Sequence, residues 1–334
     1  MIVHLTSLGC ARNQIDSEIM LGRLNQVGAL FTDTPGDAEV IIVNTCSFIE
    51  SAADESIDTI LELAAHKNEG RCRRLIVTGC LPERYRQEIT RAIPEVDVFL
   101  GTGAFDRIVA AVQGHLDTAK CLLPDPDSLS PSGAGVSRER SNRWMAYVKI
   151  AEGCSRQCTY CIIPRLRGRR KSRSIEDVVA ESRQLIQTGV RELVLVSQET
   201  TAYGKDLKPP ADLARLLTAL AALPDGSGTD AFWIRFLYGH PQSIDDRLMN
   251  AVAQNANICS YFDIPIQHAS RSILKKMGRR YGPDDLRLML ERIRRLMPEA
   301  ALRTTVIVGF PGETDADFDE LLSFVESESF NHLG

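Results

Sequence analysis

No run of about 18 uncharged apolar residues occurs in the sequence, which excludes a transmembrane helix of ordinary length. The start, Met1-Ile2-Val3-His4-Leu5, lacks the basic segment and apolar core of a secretory leader, so the expected location is the cytoplasm. Proline and glycine are sparse, 15 and 23 in 334 residues, which excludes collagen-like and disordered chains. An excess of positive charge is lacking as well. With 39 Lys and Arg against 44 Asp and Glu, the formal net charge is -5, so any contact with nucleic acid needs a local patch. No solenoid repeat or low-complexity tract is present. What remains is an ordinary globular composition, 44% hydrophobic and 25% charged, at a length that suggests two domains. Cysteine is the exception. Nine of them, an odd number, argue against a disulfide framework and toward metal or redox chemistry.

The first hundred residues alternate short apolar runs with helical patterns. Ile2 to Leu8, Val40 to Val43, Leu75 to Val77 and Val96 to Leu100 are too uniformly apolar to have one wet face, as expected of parallel strands covered on both sides. Asp16 to Gln26 and Ser51 to Ala65 carry helical spacing between them. This predicts a flavodoxin- or Rossmann-like α/β domain over residues 1–123. Residues 124–143, rich in Pro, Ser, Gly and charge, read as a linker. Strand-like runs then resume at Val148 to Ala151, Leu193 to Val196, Trp233 to Leu237, Phe262 to Ile266 and Thr304 to Val308, with helices such as Ile175 to Gln187 between. Residues 144–334 are thus expected to form part of a parallel β/α barrel.

Cys154, Cys158 and Cys161 form a C-x-x-x-C-x-x-C directly after the first strand of the second domain. Three thiolates in eight residues can wrap one metal centre. The fourth ligand that zinc would want, and the Cys-Pro continuation of a bacterial ferredoxin run, are missing, so one iron of a 4Fe-4S cluster would stay open. Cys10, Cys46 and Cys80 each follow the end of a predicted strand, and in a parallel sheet all three would emerge at one edge. A lone Cys there is usually a small core residue. Three in register point to a second cluster site, while Cys72, Cys121 and Cys259 have no such placement.

These residues resemble a known family. The C-x-x-x-C-x-x-C with Tyr160 before its last Cys resembles the radical S-adenosylmethionine (SAM) signature, and the upstream triad resembles the N-terminal domain of the methylthiotransferases. Gly9-Cys10-Ala11-Arg12-Asn13, Asp16-Ser17-Glu18, Val43-Asn44-Thr45-Cys46, Arg167-Gly168 and Gly309-Phe310-Pro311-Gly312-Glu313 agree, although Ala11-Arg12 replaces the Pro-Lys expected there. The resemblance implies two 4Fe-4S clusters and SAM as cofactors. Cys154, Cys158 and Cys161 would hold the cluster that chelates and cleaves SAM. Cys10, Cys46 and Cys80 would hold the one that supplies sulfur. Tyr160, Gln198 and Gly309 would contact SAM. Breaking an unactivated C–H bond is beyond any side-chain acid or base, which is why such a radical cofactor is needed.

Ser7-Leu8-Gly9-Cys10, Ser197-Gln198-Glu199-Thr200-Thr201 and Ile234-Arg235-Phe236-Leu237-Tyr238 look like the branch that modifies an aspartate β-carbon of a small-subunit ribosomal protein. Its partners would be that protein, free or on the ribosome, and a flavodoxin- or ferredoxin-type electron donor, with the enzyme itself a monomer away from membranes. The tRNA-adenosine branch is the alternative, and an iron–sulfur electron carrier or a zinc module is the non-enzyme one. Six cations in the nine residues Arg165 to Arg173 stand out on an acidic chain and suit either the SAM carboxylate or RNA. The chain ends in Phe330-Asn331-His332-Leu333-Gly334, where the family continues with a sixth strand and a small β-barrel. Both are expected to be missing here, leaving the fifth strand as a bare sheet edge.

Overall fold

The computed structural model describes residues 1–116, 120–128, 131, 133, 135–224 and 232–334. Of the segment expected as a linker, residues 129, 130, 132 and 134 lie outside the described residues. The chain forms two compact units: one of Met1–Ser130, Gly135–Ser141 and Ile162–Arg169, the other of Pro131–Ala134, Asn142–Cys161 and Arg170–Gly334.

In the first unit the strands are β1 (Ile2–Ser7), β2 (Leu30–Phe31), β3 (Val40–Thr45), β4 (Arg74–Gly79), β5 (Val98–Leu100) and β6 (Cys121–Leu122). They form one sheet in the order β2-β1-β3-β4-β5-β6, parallel throughout. This is the flavodoxin-like order with one added edge strand, and its order reverses between β1 and β3. The apolar runs are explained by burial: all six residues of β3 are buried, because separate apolar layers cover the two faces. Ile41, Val43, Leu75 and Val77 face one layer with Ile60 and Leu63 of helix Glu50–Ala64, while Ile42 and Ile76 face the other with Met20 and Leu24 of helix Ala11–Gln26. Each such aliphatic side chain contributes roughly 1.5–3 kcal/mol by leaving water.

The second unit carries β7 (Met145–Lys149), β8 (Ala151–Glu152), β9 (Lys171–Ser172), β10 (Glu192–Val196), β11 (Trp233–Phe236), β12 (Tyr261–Asp263), β13 (Ala301–Thr304) and β14 (His332–Leu333). β7, β10 and β11 run parallel side by side, as do β12, β13 and β14, and an isolated parallel bridge, Ile234 to Ile258, joins the two groups. The strands therefore follow one another in space in chain order, as in an opened β/α barrel. β8 and β9 are a separate antiparallel pair. Helices start on side-chain caps: Ser174 accepts from the Asp177 amide at 3.2 Å ahead of Ile175–Gln187, and Thr314 with Asp317 forms a capping box ahead of Asp315–Glu328.

The end of the chain departs from expectation. Residues read as stopping short of a sixth strand contribute two residues of it, His332–Leu333, paired with Arg303 and Thr304. Asn331 is the cause: its amide donates to the Leu302 carbonyl at 2.9 Å and its side-chain oxygen accepts from the Leu302 amide at 2.8 Å, which aligns the segment on β13. The outer edge of β13 is hydrogen-bonded, not bare.

Candidate functional site

Cys10, Cys46 and Cys80 follow β1, β3 and β4, three neighbouring strands, at their carboxyl ends and beside the point where the strand order reverses. Two glycines let these loops close on one another. Gly9 has φ +97°, and a Cβ on it would stand 2.8 Å from the Cβ of Cys46; Gly79 has φ +98°, and a Cβ there would meet the Thr45 carbonyl oxygen at 2.5 Å. Hydrogen bonds then fix each loop. Ser56 Oγ accepts from the Cys46 amide at 3.1 Å and donates to its carbonyl at 2.7 Å. Thr45 Oγ1 donates to the Thr78 carbonyl at 2.6 Å and accepts from the Leu81 amide at 3.2 Å, tying the loop of Cys46 to that of Cys80. Asn13 Nδ2 donates to the carbonyls of Leu8, 3.2 Å, and Thr45, 2.8 Å.

Charge at this edge comes from Arg167, in the short helix Ile163–Arg167 that packs in the first unit. Its Nη2 donates to Asn13 Oδ1 at 2.6 Å and to Cys80 Sγ at 3.6 Å, and its Nη1 to buried Asp16 at 3.0 Å. Burial pushes the Cys10 thiol up, but the charges of Arg12 and Arg167 together with the backbone amides of Asn13 and Arg12 outweigh it, and the thiol ends below its ordinary value. Burial dominates at Cys80, whose thiol is raised even though Arg167 opposes it. Sequence reasoning noted Asn13, Asp16 and Arg167 as parts of motifs and missed that they meet.

Among the described residues no three His, Cys, Asp or Glu side chains converge as ligands of a single ion would. A four-iron cube is different, since its thiolates sit on separate irons and stand apart. Three free thiols on adjoining strand ends, with a guanidinium to offset their charge, suit such a cube.

In the second unit Cys154, Cys158 and Cys161 occupy the loop after β8, each half-buried and none in a disulfide. The Arg156 amide points at Cys154 Sγ, 3.5 Å away. The Cys154 thiol is raised by burial, then by nearby Glu199 and the other two thiols of the motif. Arg156 is held by a two-pronged bond to Glu199, at 2.6 and 2.8 Å. Tyr160 accepts at its hydroxyl from Arg279, 2.6 Å, and meets Phe310 edge-on with centroids 6.2 Å apart. Phe310 follows Gly309, which sits in a left-handed turn (φ +72°) with no atom within 4 Å of where a Cβ would be. The structure therefore brings Tyr160 to the Gly309 turn. Gln198, leaving β10, donates to Glu152 at 2.6 Å, and Glu152 also binds Lys149 at 2.8 Å. The Gln198 Oε1 is buried with no hydrogen-bond partner among the described residues, an acceptor left for a further group. Lys149, Arg156 and Arg279 carried no motif to single them out. His240, buried and pushed down to about 2 by burial and the nearby arginines, is a neutral acceptor for the Gln242 amide. Cys72 lies in the apolar core, donating to the Arg74 carbonyl at 3.4 Å, apart from both triads.

Two family descriptions match the chain: "Uncharacterized protein family UPF0004" over residues 2–101 and "Radical SAM superfamily" over residues 148–325. The protein named ribosomal protein uS12 methylthiotransferase RimO of Desulfosudis oleivorans is 54% identical over 335 residues, covering 100% of this chain and 75% of its own length. The RimO of Geobacter sulfurreducens is 47% identical over 334 residues, covering 99% of this chain and 73% of its own length. The chain belongs to the RimO family. Membership makes it a radical SAM methylthiotransferase, not an electron carrier or a zinc module, and favours the ribosomal-protein branch over the tRNA branch. Enzymes of the radical SAM superfamily work with a 4Fe-4S cluster and SAM, and the thiols of Cys154, Cys158 and Cys161 fit that cluster. Among solved structures, the radical SAM methyltransferase TsrM of Kitasatospora setae matches 100% of this chain and 72% of its own with a TM-score of 0.70 at 16% identity. The cobalamin-dependent radical enzyme OxsB matches 97% and 52% with a TM-score of 0.66 at 12% identity. At these identities the likeness concerns the fold. No helix among the described residues is long and apolar enough to cross a membrane.

Proposed function

We propose that the chain transfers a methylthio group to the β-carbon of an aspartate in ribosomal protein uS12, the substrate in the names of its relatives. Two 4Fe-4S clusters and SAM would supply the radical and sulfur chemistry when bound. The domain reading is a methylthiotransferase domain over residues 1–123 and a radical SAM core over residues 144–334. The observation that carries the proposal is the pairing, on one chain, of two separate cysteine triads, one at the carboxyl ends of the parallel strands β1, β3 and β4 and the other in the loop after β8.

In this reading Cys154, Cys158 and Cys161 hold the SAM-binding cluster, and Cys10, Cys46 and Cys80 the sulfur-supplying one. Tyr160, kept in place by Arg279 and Phe310, would contact SAM, and the open Gly309 turn would leave room for it to approach. Gln198, its amide nitrogen held by Glu152 and Lys149, would offer SAM its oxygen, which has no partner among the described residues. Arg167 holds the Cys10, Cys46 and Cys80 edge together and offsets thiolate charge. The electron donor would be a flavodoxin or ferredoxin, the setting the cytoplasm, and the enzyme a monomer.

Division of labour tests the assignment. After anaerobic reconstitution the chain should hold about eight iron and eight sulfide, as two four-iron clusters require. Cys158→Ala should lose reductive SAM cleavage, while Cys46→Ala should keep cleavage and lose methylthio transfer to uS12 as read by mass spectrometry. Full transfer by Cys46→Ala would refute the upstream assignment, and a modified tRNA adenosine with unmodified uS12 would refute the substrate.

A further inference from the structure

The cations following the second cysteine triad do not all serve one place. Arg165 belongs to the first unit, where it lines a cleft of about 570 Å³ together with Arg84, Tyr85, Arg86, Glu88 and Arg91. Four guanidinium groups face one carboxylate, on a chain whose formal charge is -5. Two of the four are anchored. Arg84 donates to the Ser47 carbonyl at 2.7 Å, and its guanidinium carbon lies 5.7 Å from the centre of the Tyr85 ring. Arg86 sits at φ +52°, a left-handed conformation costly for a residue with a side chain, and its Nη1 reaches fully buried Glu83 at 3.3 Å. Arg91 and Arg165 are exposed, and among the described residues neither makes an ion pair. Tyr85 is 37% exposed.

Planar guanidinium forks match phosphate oxygens in pairs, and an exposed aromatic ring is a platform for a base. The volume lies in the range of ligand clefts. Four cations to one ring exceed what a single nucleotide asks for and suit successive phosphodiesters. We infer that this cleft binds single-stranded RNA, with phosphates on Arg84, Arg86, Arg91 and Arg165 and a base on Tyr85. The inference goes beyond methylthio transfer and does not depend on it. A free nucleotide offers the same phosphate and base chemistry, and the experiment separates the two.

Fluorescence anisotropy with the full chain and a labelled oligouridylate of about a dozen nucleotides, over a series of KCl concentrations, is the test. Arg91→Ala with Arg165→Ala removes two exposed side chains that bear no ion pair, so circular dichroism should match the parent. Binding should weaken about tenfold or more, and the slope of log affinity against log salt should flatten by about 1.4, or about 0.7 for each lost contact to single-stranded phosphate. Tyr85→Ala should weaken binding about fivefold or more. Unchanged affinity and slope in the double variant would overturn the inference. Displacement of the oligonucleotide by an equal concentration of ADP would overturn it in favour of a nucleotide site.

Discussion

Replacing Arg167 by Met keeps much of the side chain's bulk and removes its charge, which isolates what the guanidinium does. It is 3% exposed, and its guanidinium reaches Asp16 at 3.0 Å, Asn13 at 2.6 Å and Cys80 at 3.6 Å. Asp16 is itself 4% exposed, so the variant takes a buried cation away from a buried carboxylate. Breaking a buried pair from one side costs about 3–5 kcal/mol, and the bond to Asn13 adds about 1 kcal/mol that overlaps with it. The expected loss for the chain without clusters is therefore about 3–5 kcal/mol, read by urea unfolding and by faster amide exchange across helix Ala11–Gln26. Arg167→Lys retains the charge without the fork and should lose about half as much. Asp16→Asn combined with Arg167→Met should cost less than the sum of the single changes, because the two side chains interact directly and each single change already removes that interaction. The Cys10 thiol should rise as well, since Arg167 is one of the two charges that lower it, so its alkylation at a given pH should slow. A Met variant within about 0.5 kcal/mol of the parent, with unchanged alkylation, would refute this account of the site.

Glu83 makes a second case. Burial lifts its carboxyl to about 7, so the folded chain binds its proton more tightly than the unfolded one; the stabilisation is full below the unfolded value and lost as pH rises through about 7. The parent should thus lose up to about 3 kcal/mol between pH about 4.5 and 8 that Glu83→Gln does not, by urea midpoints at each pH, and parallel curves would exclude it. At Gly79, Ala would need φ +98° and place a Cβ 2.5 Å from both the Thr45 carbonyl oxygen and Asn44 Oδ1. Gly79→Ala should lower stability by about 1–3 kcal/mol and cut the iron retained after reconstitution by about half, while normal iron would show that the Cys46 and Cys80 loops tolerate separation.

The parts of this fold legible in the sequence are those written in local patterns. β3, buried along all six residues, reads as an apolar run, and the rule that parallel strands deliver their loops to one edge places Cys10, Cys46 and Cys80 together. β2, β6 and β14 are two residues each, too short to carry a period, and exist because neighbouring strands offer free amides and carbonyls to pair with. The partnership of Arg167 with Cys80 was illegible for another reason: 87 residues separate them, and no hydrophobic spacing encodes a bond between side chains so far apart. In sequence Arg167 belongs to a cation run six residues beyond Cys161; in the structure Ile162–Arg169 packs within the first unit. The charge balance at the Cys10, Cys46 and Cys80 edge is therefore completed by residues far beyond the β1–β6 sheet in sequence. Until residue 167 arrives, Asp16 has no Arg167 beside it, Asn13 lacks its 2.6 Å donor, and burial of Cys80 goes unopposed by that cation. The sheet and the loops bearing its thiols are held by contacts among the first hundred residues, whereas the Arg167 cation at that edge is supplied by the segment after the second triad.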